Sequence, residues 1–143
     1  MSHLIADAVN ILIINDGKLM LGRRQNTGWK DGMLCVMGGH VEENETPTQA
    51  VIREAKEELG VTINPNDIEF TCVAARRSTP TDYVSYVFTI EDKDYKYINN
   101  EPDKCTELVW VDPSKLPNDV IEDFKIIITN GLVKKKIFLE INY

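Results

Sequence analysis

The chain has 143 residues, 43% of them apolar, and its 23 acidic and 16 basic residues leave a formal net charge of −7. This length and apolar content predict one globular domain over residues 1–143, with a sizeable core. The acidic balance argues against non-specific binding of duplex nucleic acid or of an anionic membrane, because both favour a basic surface.

Cysteine usage and apolar runs point to a cytoplasmic protein. Cys35, Cys72 and Cys105 are odd in number and widely spaced, so we expect reduced thiols, mostly in the core, rather than disulfides or a zinc site. The N-terminus lacks the features of a secretory signal. Apolar runs such as Ile11–Ile14 are far too short to span a bilayer.

The first sixty residues predict strands followed by one well-marked helix. Thr46 is a suitable N-cap, Pro47 suits the first helical position, and Gly60 suits the helix end. The pattern predicts a strand at Ala8–Ile14, a hairpin turn at Asn15–Gly17 and a returning strand at Lys18–Arg24. A loop at Gln25–Gly32 follows, then a short strand at Met33–Met37 that runs into Gly38-Gly39, and then the helix at Pro47–Leu59.

The second half predicts more strands and a second helix. Strands are predicted at Asp67–Arg76, Tyr83–Glu91 and Thr106–Val111, with a polar stretch, Asp92–Lys104, before the last of them. A helical segment follows at Asn118–Asn130, and the apolar tail Ile137–Ile141 is either an edge strand or a subunit contact. Interleaved strands and helices with two hairpins favour an α/β (α+β) fold with a mixed sheet flanked by helices. The sequence does not distinguish a monomer from a homodimer.

Three carboxylates of the first helix lie close together on its surface. At 100° per residue, Glu54, Glu57 and Glu58 fall within an arc of about 100°. Each like-charge pair at ~6 Å costs about 3 kcal/mol before salt screening. The set is either a solvated acidic face or a site for a divalent cation. Because only hard oxygen ligands are available, Mg²⁺ is the favoured ion and Mn²⁺ the alternative.

Residues 39–61 resemble the Nudix box, Gly-x5-Glu-x7-Arg-Glu-U-x-Glu-Glu-x-Gly-U with U apolar, at every fixed position. These positions are Gly39, Glu45, Arg53, Glu54, Glu57, Glu58 and Gly60. The resemblance implies a single Nudix domain, an α/β/α sandwich, and a divalent metal held by the Gly38 carbonyl and the box glutamates. It also implies that Glu45 and Arg53 brace the loop against the helix, whereas a plain surface ion pair would contribute little. Met37 replaces the proline common before the two glycines.

A second segment resembles the MutT-like group of this family. Asn100–Trp110 is similar to Glu-Pro-x-Lys-Cys-x-Glu-x-x-Trp, which implies that Glu101 reaches the metal site as a ligand or as the base. Asp103 and Glu107 are the competing acids of this segment.

Upstream residues also resemble this group and supply candidate substrate contacts. Arg23 or Arg24 is a candidate phosphate contact or plain surface charge, and strand alternation predicts that only one of them faces the cleft. Trp29 either stacks on a base or covers the core. His40, beside the metal loop, is a candidate substrate contact.

The family resemblance implies metal-dependent hydrolysis of a nucleoside diphosphate linked to a group X. Glu54, Glu57, Glu58, Glu101 and Arg53 form the candidate catalytic set, with Glu54 or Glu101 as the base. Signatures of groups acting on ADP-ribose, dinucleoside polyphosphates or NADH are missing, which favours a nucleoside triphosphate, modified or not, giving monophosphate and pyrophosphate. The alternatives are another nucleotide-sugar or dinucleotide substrate, and a non-catalytic nucleotide sensor.

Overall fold

The fold is built on a mixed sheet, seen in a computed structural model that describes residues 3–91 and 94–143. In chain order the elements are β1 Ile5–Asn15, β2 Lys18–Arg24, β3 Leu34–Cys35, β4 Met37–His40, α1 Pro47–Leu59, β5 Glu69–Arg76, β6 Asp82–Glu91, β7 Cys105–Val111, α2 Glu122–Ile126 and β8 Phe138–Ile141. Helix α2 continues directly into π-helical turns over Ile127–Val133.

The sheet combines parallel and antiparallel pairs. Its strand order is β3-β2-β1-β6-β5-β8, with β4 also pairing with β1 and β7 with β2. The pairs β1–β6 and β5–β8 are parallel, and the remaining pairs are antiparallel. The β1–β2 hairpin pairs only near its turn, so β4 fits beside the first half of β1, with His40 opposite Ala8.

Strand β1 separates two apolar cores because successive side chains point to opposite faces of the sheet. Val9, Ile11 and Ile13 pack with the buried stripe of α1, whereas Leu12 and Ile14 pack with α2 and the π-helical turns. Helices therefore cover both faces of the sheet. The predicted α/β/α sandwich with a mixed sheet is confirmed.

Helix α1 has the predicted bounds, Pro47–Leu59. The Thr46 hydroxyl accepts a hydrogen bond from the Gln49 N–H, and the Gln49 side chain accepts one from the Thr46 N–H. This reciprocal cap satisfies two of the N–H groups left free at a helix start. Gly60 ends the helix in the left-handed conformation, at φ 68°.

The predicted strand Met33–Met37 is wrong as a single element. It divides at Val36 into β3, which pairs with β2, and β4, which pairs with β1. The division follows from the splayed β1–β2 hairpin, since one straight strand cannot pair with both.

The second helix also differs from the predicted Asn118–Asn130. It begins only at Glu122, because Asp119 and Ile121 pair with the backbone of Leu34: the Leu34 N–H donates to the Asp119 carbonyl and the Ile121 N–H donates to the Leu34 carbonyl. It runs past Asn130, and Gly131 lies inside it, where a Cβ would stand 2.6 Å from the Cys72 sulfur.

Smaller differences concern the polar stretch and the tail. Residues 94–104 form no helix or strand, while Asp92 and Lys93 lie outside the described residues. The apolar tail supplies β8, the edge strand beside β5. Cys35 and Cys72 are buried free thiols, and Cys105 is partly buried. None of the helices in the described part of the chain has the length and apolar character needed to cross a bilayer.

Candidate functional site

Arg53 organises the start of the site. Its guanidinium donates two hydrogen bonds to the Glu45 carboxylate, at 2.8 and 3.0 Å, and one of 2.8 Å to the His40 carbonyl. It also donates to Glu54 at 2.8 Å. The side chains of Arg53 and Glu45 are only 22% and 13% exposed, so the pair is not a plain surface ion pair. The helix is thus fastened to the loop that follows β4.

Strand β4 comes close to two acids of the helix. The Gly38 N–H donates to Glu58 Oε1 at 2.9 Å. A Cβ at Gly39 would lie 2.2 Å from Glu54 Oε1, so only glycine allows this approach without movement of the carboxylate. Glu54 and Glu58 therefore sit directly against the Gly38-Gly39 backbone.

Glu101 reaches the same place because its loop is attached to the end of α1. The N–H groups of Ile98 and Asn100 donate to the Leu59 and Glu58 carbonyls, at 3.0 and 2.9 Å. These bonds satisfy carbonyls that the helix end leaves free. The Asn100 amide also donates to the Glu57 carbonyl at 3.0 Å. Glu101 follows directly and is partly buried beside the helix acids.

One cleft brings these groups together, and we call it the acidic cleft. It measures about 350 Å³, and both carboxylates from two distant parts of the sequence and basic side chains line it. Its polar lining residues include Arg23, Arg24, Glu54, Glu58, Asn99, Glu101 and Lys104, with the backbone of Gly38 and Gly39.

Burial and mutual repulsion perturb the acids of this cleft. Burial, reinforced by the charge of Glu54, raises the pKa of Glu58 well above its usual value. Burial also raises the pKa of Glu54, although Arg53 opposes the shift. The pKa of Glu101 is raised by burial and by the charges of Glu57 and Asp103. In contrast, Arg53 lowers the pKa of Glu45.

Other predicted acids lie outside the cleft. The Glu57 side chain is 51% exposed and lies 3.4 Å from Arg53, so it is at the rim rather than among the lining groups. Glu107 pairs with Arg23 at 3.0 Å, and Asp103 is exposed. Of the three acids in the Asn100–Trp110 segment, only Glu101 lines the acidic cleft.

The two arginines of β2 have different surroundings. Both line the acidic cleft, where alternation predicts only one, because the pairing of β2 with β7 shifts register between Gly22 and Arg24. Arg23 donates to Glu107, Asp119 and the Gly32 carbonyl. Arg24 donates to neutral groups, the Trp29 carbonyl and the Cys35 sulfur. Arg24 thus keeps its charge for a ligand.

The donor set suits a divalent cation of the Mg²⁺ type. Glu54, Glu57, Glu58 and Glu101 are hard oxygen ligands with a surplus of negative charge over Arg53, which a cation would offset. Among residues 3–91 and 94–143, however, no three carboxylate, thiol or imidazole groups stand close enough to hold an ion as arranged. Arg53 and the Gly38 N–H hold two of the acids, Glu54 and Glu58, in their present positions. Mg²⁺ needs only one or two carboxylates, since it keeps several waters.

Trp29 and His40 lie away from the acids, along a second cleft of about 410 Å³. Trp29 is 43% exposed, so it does not cover the core. The Arg24 guanidinium carbon lies over the Trp29 ring, 5.0 Å from the ring centre. His40 is exposed and stacks on Tyr83, with ring centres 5.6 Å apart.

Sequence patterns missed several residues of the two clefts. Lys104 is the lysine of the Glu-Pro-x-Lys-Cys segment, so the sequence did contain a signal for it. No sequence pattern indicates Asn99, whose side-chain oxygen accepts a hydrogen bond from the Glu101 N–H at 3.3 Å. No sequence pattern indicates the second cleft either, because Asn10, Arg76 and Tyr83 come from three strands that only the fold brings together.

Known proteins share both the sequence pattern and the fold. A sequence model of the NUDIX domain matches residues 4–129. The RNA pyrophosphohydrolase of Hydrogenovibrio crunogenus is 48% identical over 61 residues, covering 42% of this chain and 33% of that protein. The ADP-ribose pyrophosphatase of Methanocaldococcus jannaschii is 31% identical over 125 residues, covering 85% of this chain and 70% of that protein.

Among solved structures, the MutT NUDIX hydrolase from Burkholderia pseudomallei matches with a TM-score of 0.79 and 23% identity. The match covers 89% of this chain and 98% of that chain. The chain therefore belongs to the Nudix domain family. The names of both relatives are those of enzymes that cleave phosphoric anhydrides, and the chain spans a third of the length of the first of them.

Proposed function

We propose that the protein hydrolyses the pyrophosphate linkage of a nucleoside diphosphate bound to a group X, and that X is a phosphate. The substrate is then a nucleoside triphosphate, modified or not, and the products are a nucleoside monophosphate and pyrophosphate. The observation that supports this most is the acidic cleft, which Glu54, Glu58 and Glu101 line together with Arg24 and Lys104. A cleft lined by both acids and cations suits a polyphosphate held beside a divalent cation.

Each group has a role in this proposal. Glu54, Glu58 and Glu101, with the Gly38 carbonyl and with Glu57 in support, would hold Mg²⁺, or Mn²⁺ as the alternative. The cation, when bound, neutralises phosphate charge and makes water more acidic. Arg24 and Lys104 contact phosphate oxygens. Arg53 keeps Glu54 in place.

The base is Glu101 or Glu54, and the surroundings favour Glu101. The Glu54 carboxylate already accepts a hydrogen bond from Arg53 at 2.8 Å, whereas no side chain in the described ranges donates to Glu101. The pKa is raised for both carboxylates, which makes either a better proton acceptor near neutral pH, so the free hydrogen-bonding capacity of Glu101 decides the preference. Glu101 takes one proton from the attacking water, the new P–O bond forms, and the P–O bond to pyrophosphate breaks.

We propose a single catalytic domain over residues 1–143 that acts in the cytoplasm on a small-molecule nucleotide, as a monomer or homodimer. The second candidate substrate class, a nucleotide-sugar such as ADP-ribose, is favoured by the relative from Methanocaldococcus jannaschii, whose name gives that activity. A purely sensory role is not supported, because the family relationship and the intact acid set favour an enzyme.

Product analysis tests the proposal. The four nucleoside triphosphates, ADP-ribose and a dinucleoside polyphosphate are incubated with the protein and Mg²⁺, and the products are separated by ion-exchange chromatography. We expect monophosphate and pyrophosphate from a triphosphate, and no turnover in EDTA. Release of orthophosphate alone, or full turnover in EDTA, would contradict the proposal. Preferential cleavage of ADP-ribose would replace it with the second substrate class.

A further inference from the structure

Glu101 is the first residue of a tight turn, which ends at Cys105 and which we call the 101–105 turn. The N–H groups of Lys104 and Cys105 both donate to the Glu101 carbonyl, at 2.9 and 3.0 Å. The backbone before the turn is fixed on the end of α1 through Asn100. Because the Glu101 side chain leaves the backbone where the turn begins, its position depends on how firmly the turn is held.

The Asn99 side chain connects the two ends of this turn. Its oxygen accepts a hydrogen bond from the Glu101 N–H at 3.3 Å, and its nitrogen donates one to the Cys105 carbonyl at 2.8 Å. A carboxamide carries an acceptor and a donor side by side, which these two bonds require. Asn99 is partly buried and lines the acidic cleft, so the connection is made beside the carboxylate of Glu101.

Other side chains hold the turn from its outer side. Those of Gln25 and Asn26 donate to the carbonyls of the two residues in the middle of the turn, Pro102 and Asp103, at 2.6 and 3.1 Å. These bonds are exposed and do not reach the residue that carries the carboxylate. The bond from Asn99 does reach that residue, and it is partly buried.

A direct contact between Asn99 and a substrate is the alternative role, since Asn99 lines the acidic cleft. Its hydrogen bonds argue against that role, because its oxygen and one of its amide N–H groups are already used within the turn. A phosphate group would also find two charged partners, Arg24 and Lys104, in the same cleft. The geometry therefore favours an action of Asn99 through Glu101.

We propose that Asn99 is a positioning residue for Glu101. By holding the two ends of the 101–105 turn together, it keeps the Glu101 carboxylate at one place in the acidic cleft. The inference rests on the proposed function, in which Glu101 is the base or a metal ligand. A displacement of about 1 Å in a reacting group can lower a rate about a hundredfold, so loss of this connection should be measurable.

The first test separates kcat from KM. With the preferred nucleoside triphosphate and saturating Mg²⁺, Asn99→Ala should lower kcat about ten- to a hundredfold and change KM by less than about threefold, because the substrate keeps its own contacts. A strongly raised KM at the wild-type kcat would overturn the proposal, since it would make Asn99 a substrate contact. Wild-type values of both constants would overturn it as well.

A double-mutant cycle tests whether Asn99 acts through Glu101. Asn99→Ala is introduced into Glu101→Gln, where the carboxylate to be positioned is absent. In that background we expect kcat to change by less than about threefold, because residues that act as a unit do not have additive effects. An equal loss of kcat in the wild-type and Glu101→Gln backgrounds would overturn the proposal.

Asn64 provides a matched control because it makes the same kind of bond elsewhere in the chain. Its side-chain oxygen accepts a hydrogen bond from the N–H two residues on, that of Asn66, at 2.9 Å, and neither residue lines the acidic cleft. Asn64→Ala therefore loses a comparable turn hydrogen bond and should keep kcat within about threefold of the wild type. A loss of kcat equal to that in Asn99→Ala would overturn the proposal, because the effect would then be general to turns.

Amide hydrogen exchange tests the turn without any reaction. Exchange rates are followed by NMR in EDTA without nucleotide, in the wild type and in Asn99→Ala. The N–H groups bonded within the turn, those of Glu101, Lys104 and Cys105, should exchange about tenfold faster in the variant, whereas the Ile98 N–H, held by α1, should not change.

This measurement keeps the inference and the proposed function distinguishable. Unchanged exchange rates in the 101–105 turn would overturn the inference even if triphosphates are hydrolysed. Faster exchange in the turn supports it even where no triphosphate is hydrolysed, a result that would contradict only the proposed function.

Discussion

The backbone N–H of Gly38 donates a hydrogen bond of 2.9 Å to the carboxylate of Glu58, twenty residues further along the chain. The bond joins β4 to α1 and favours the charged form of the acid. Burial and the neighbouring glutamates act more strongly in the other direction, so the pKa of Glu58 is raised well above its usual value. Without a bound cation, the charged form of Glu58 is therefore unfavourable in the folded protein.

The first prediction concerns stability without metal. The pKa of Glu58 is raised on folding, so the folded protein binds this proton more tightly than the unfolded chain. Stability is unaffected below the unfolded value of about 4.5 and falls as pH rises above it. In EDTA, Glu58→Gln should melt higher than the wild type at pH 7, and the gap should close near pH 4. Each kcal/mol corresponds to about 2–4 °C.

Glu45→Gln is the matched control for that experiment. Arg53 lowers the pKa of Glu45, so this carboxylate stabilises the fold above its unfolded value, and the contribution is lost as pH falls through the folded value. The control should melt lower than the wild type at pH 7, with a gap that narrows in acid. Equal or lower melting of Glu58→Gln at pH 7 would contradict the burial argument.

A second prediction concerns metal. If the proposed function is right, Mg²⁺ binds the folded protein, whose acidic cleft is lined by Glu54, Glu58 and Glu101, and not the unfolded chain. It should therefore raise the melting temperature as its concentration passes the dissociation constant, by about 2.7 kcal/mol of stability at a hundredfold excess over that constant. Thermal scans at pH 7 with 0 to 10 mM MgCl₂ measure the effect. Glu58→Gln should lose most of the shift, and an absent shift in the wild type would count against the site.

The third prediction separates the acids of the Asn100–Trp110 segment. Glu101 lines the acidic cleft, whereas Glu107 pairs with Arg23 with its side chain 49% exposed. Glu101→Gln should lower kcat by about 10²–10⁴, the usual loss when a general base or a ligand is removed. Glu107→Gln should change kcat by less than about threefold, since it loses only an exposed pair. Similar losses of kcat in the two variants would contradict the assignment of the base or ligand role to Glu101.

A fourth prediction concerns the close approach at Gly39. An added Cβ there would lie 2.2 Å from Glu54 Oε1, so Gly39→Ala must displace that carboxylate. The variant should lose at least about tenfold in kcat/KM, while its melting temperature changes little because the flexible side chain can move aside. Steady-state kinetics and thermal melting measure both quantities.

Gly17→Ala gives the opposite pattern and serves as the control. Gly17 has φ 74° in the β1–β2 turn, with open space around its Cα. Alanine there introduces strain of about 1 kcal/mol, which lowers the melting temperature without touching the cleft. If Gly39→Ala kept wild-type kinetics, the position of Glu54 would not matter for the reaction.

The parts of the fold that local chemistry specifies could be predicted well. Helix α1 carries its own start and stop signals at Thr46, Pro47 and Gly60, so its bounds followed from sequence. Strand β2 followed in the same way from the turn before it. The division at Val36 and the late start of α2 at Glu122 could not be predicted, because both depend on which distant strand supplies the hydrogen bonds.

The site shows the same contrast. Motif spacing placed the box glutamates and Glu101, and the fold brings Glu54, Glu58 and Glu101 to one cleft while it leaves Glu57 at the rim. Alternation failed at Arg23 and Arg24 because a register shift breaks the two-residue period. Periodicity gives no information on Asn10, which has the position of a core residue in β1 and differs only by its polarity.

The attachment of Ile98 and Asn100 to the end of α1 has a consequence for relatives of different length. Glu101 takes its place from the helix terminus and not from the strand that precedes it in the chain. Insertions or deletions ahead of Tyr95, whose ring packs against the core beside α1, should thus leave the spatial relation of Glu101 to Glu58 intact. A shift of one residue between Asn100 and Glu101 would instead move the acid out of reach.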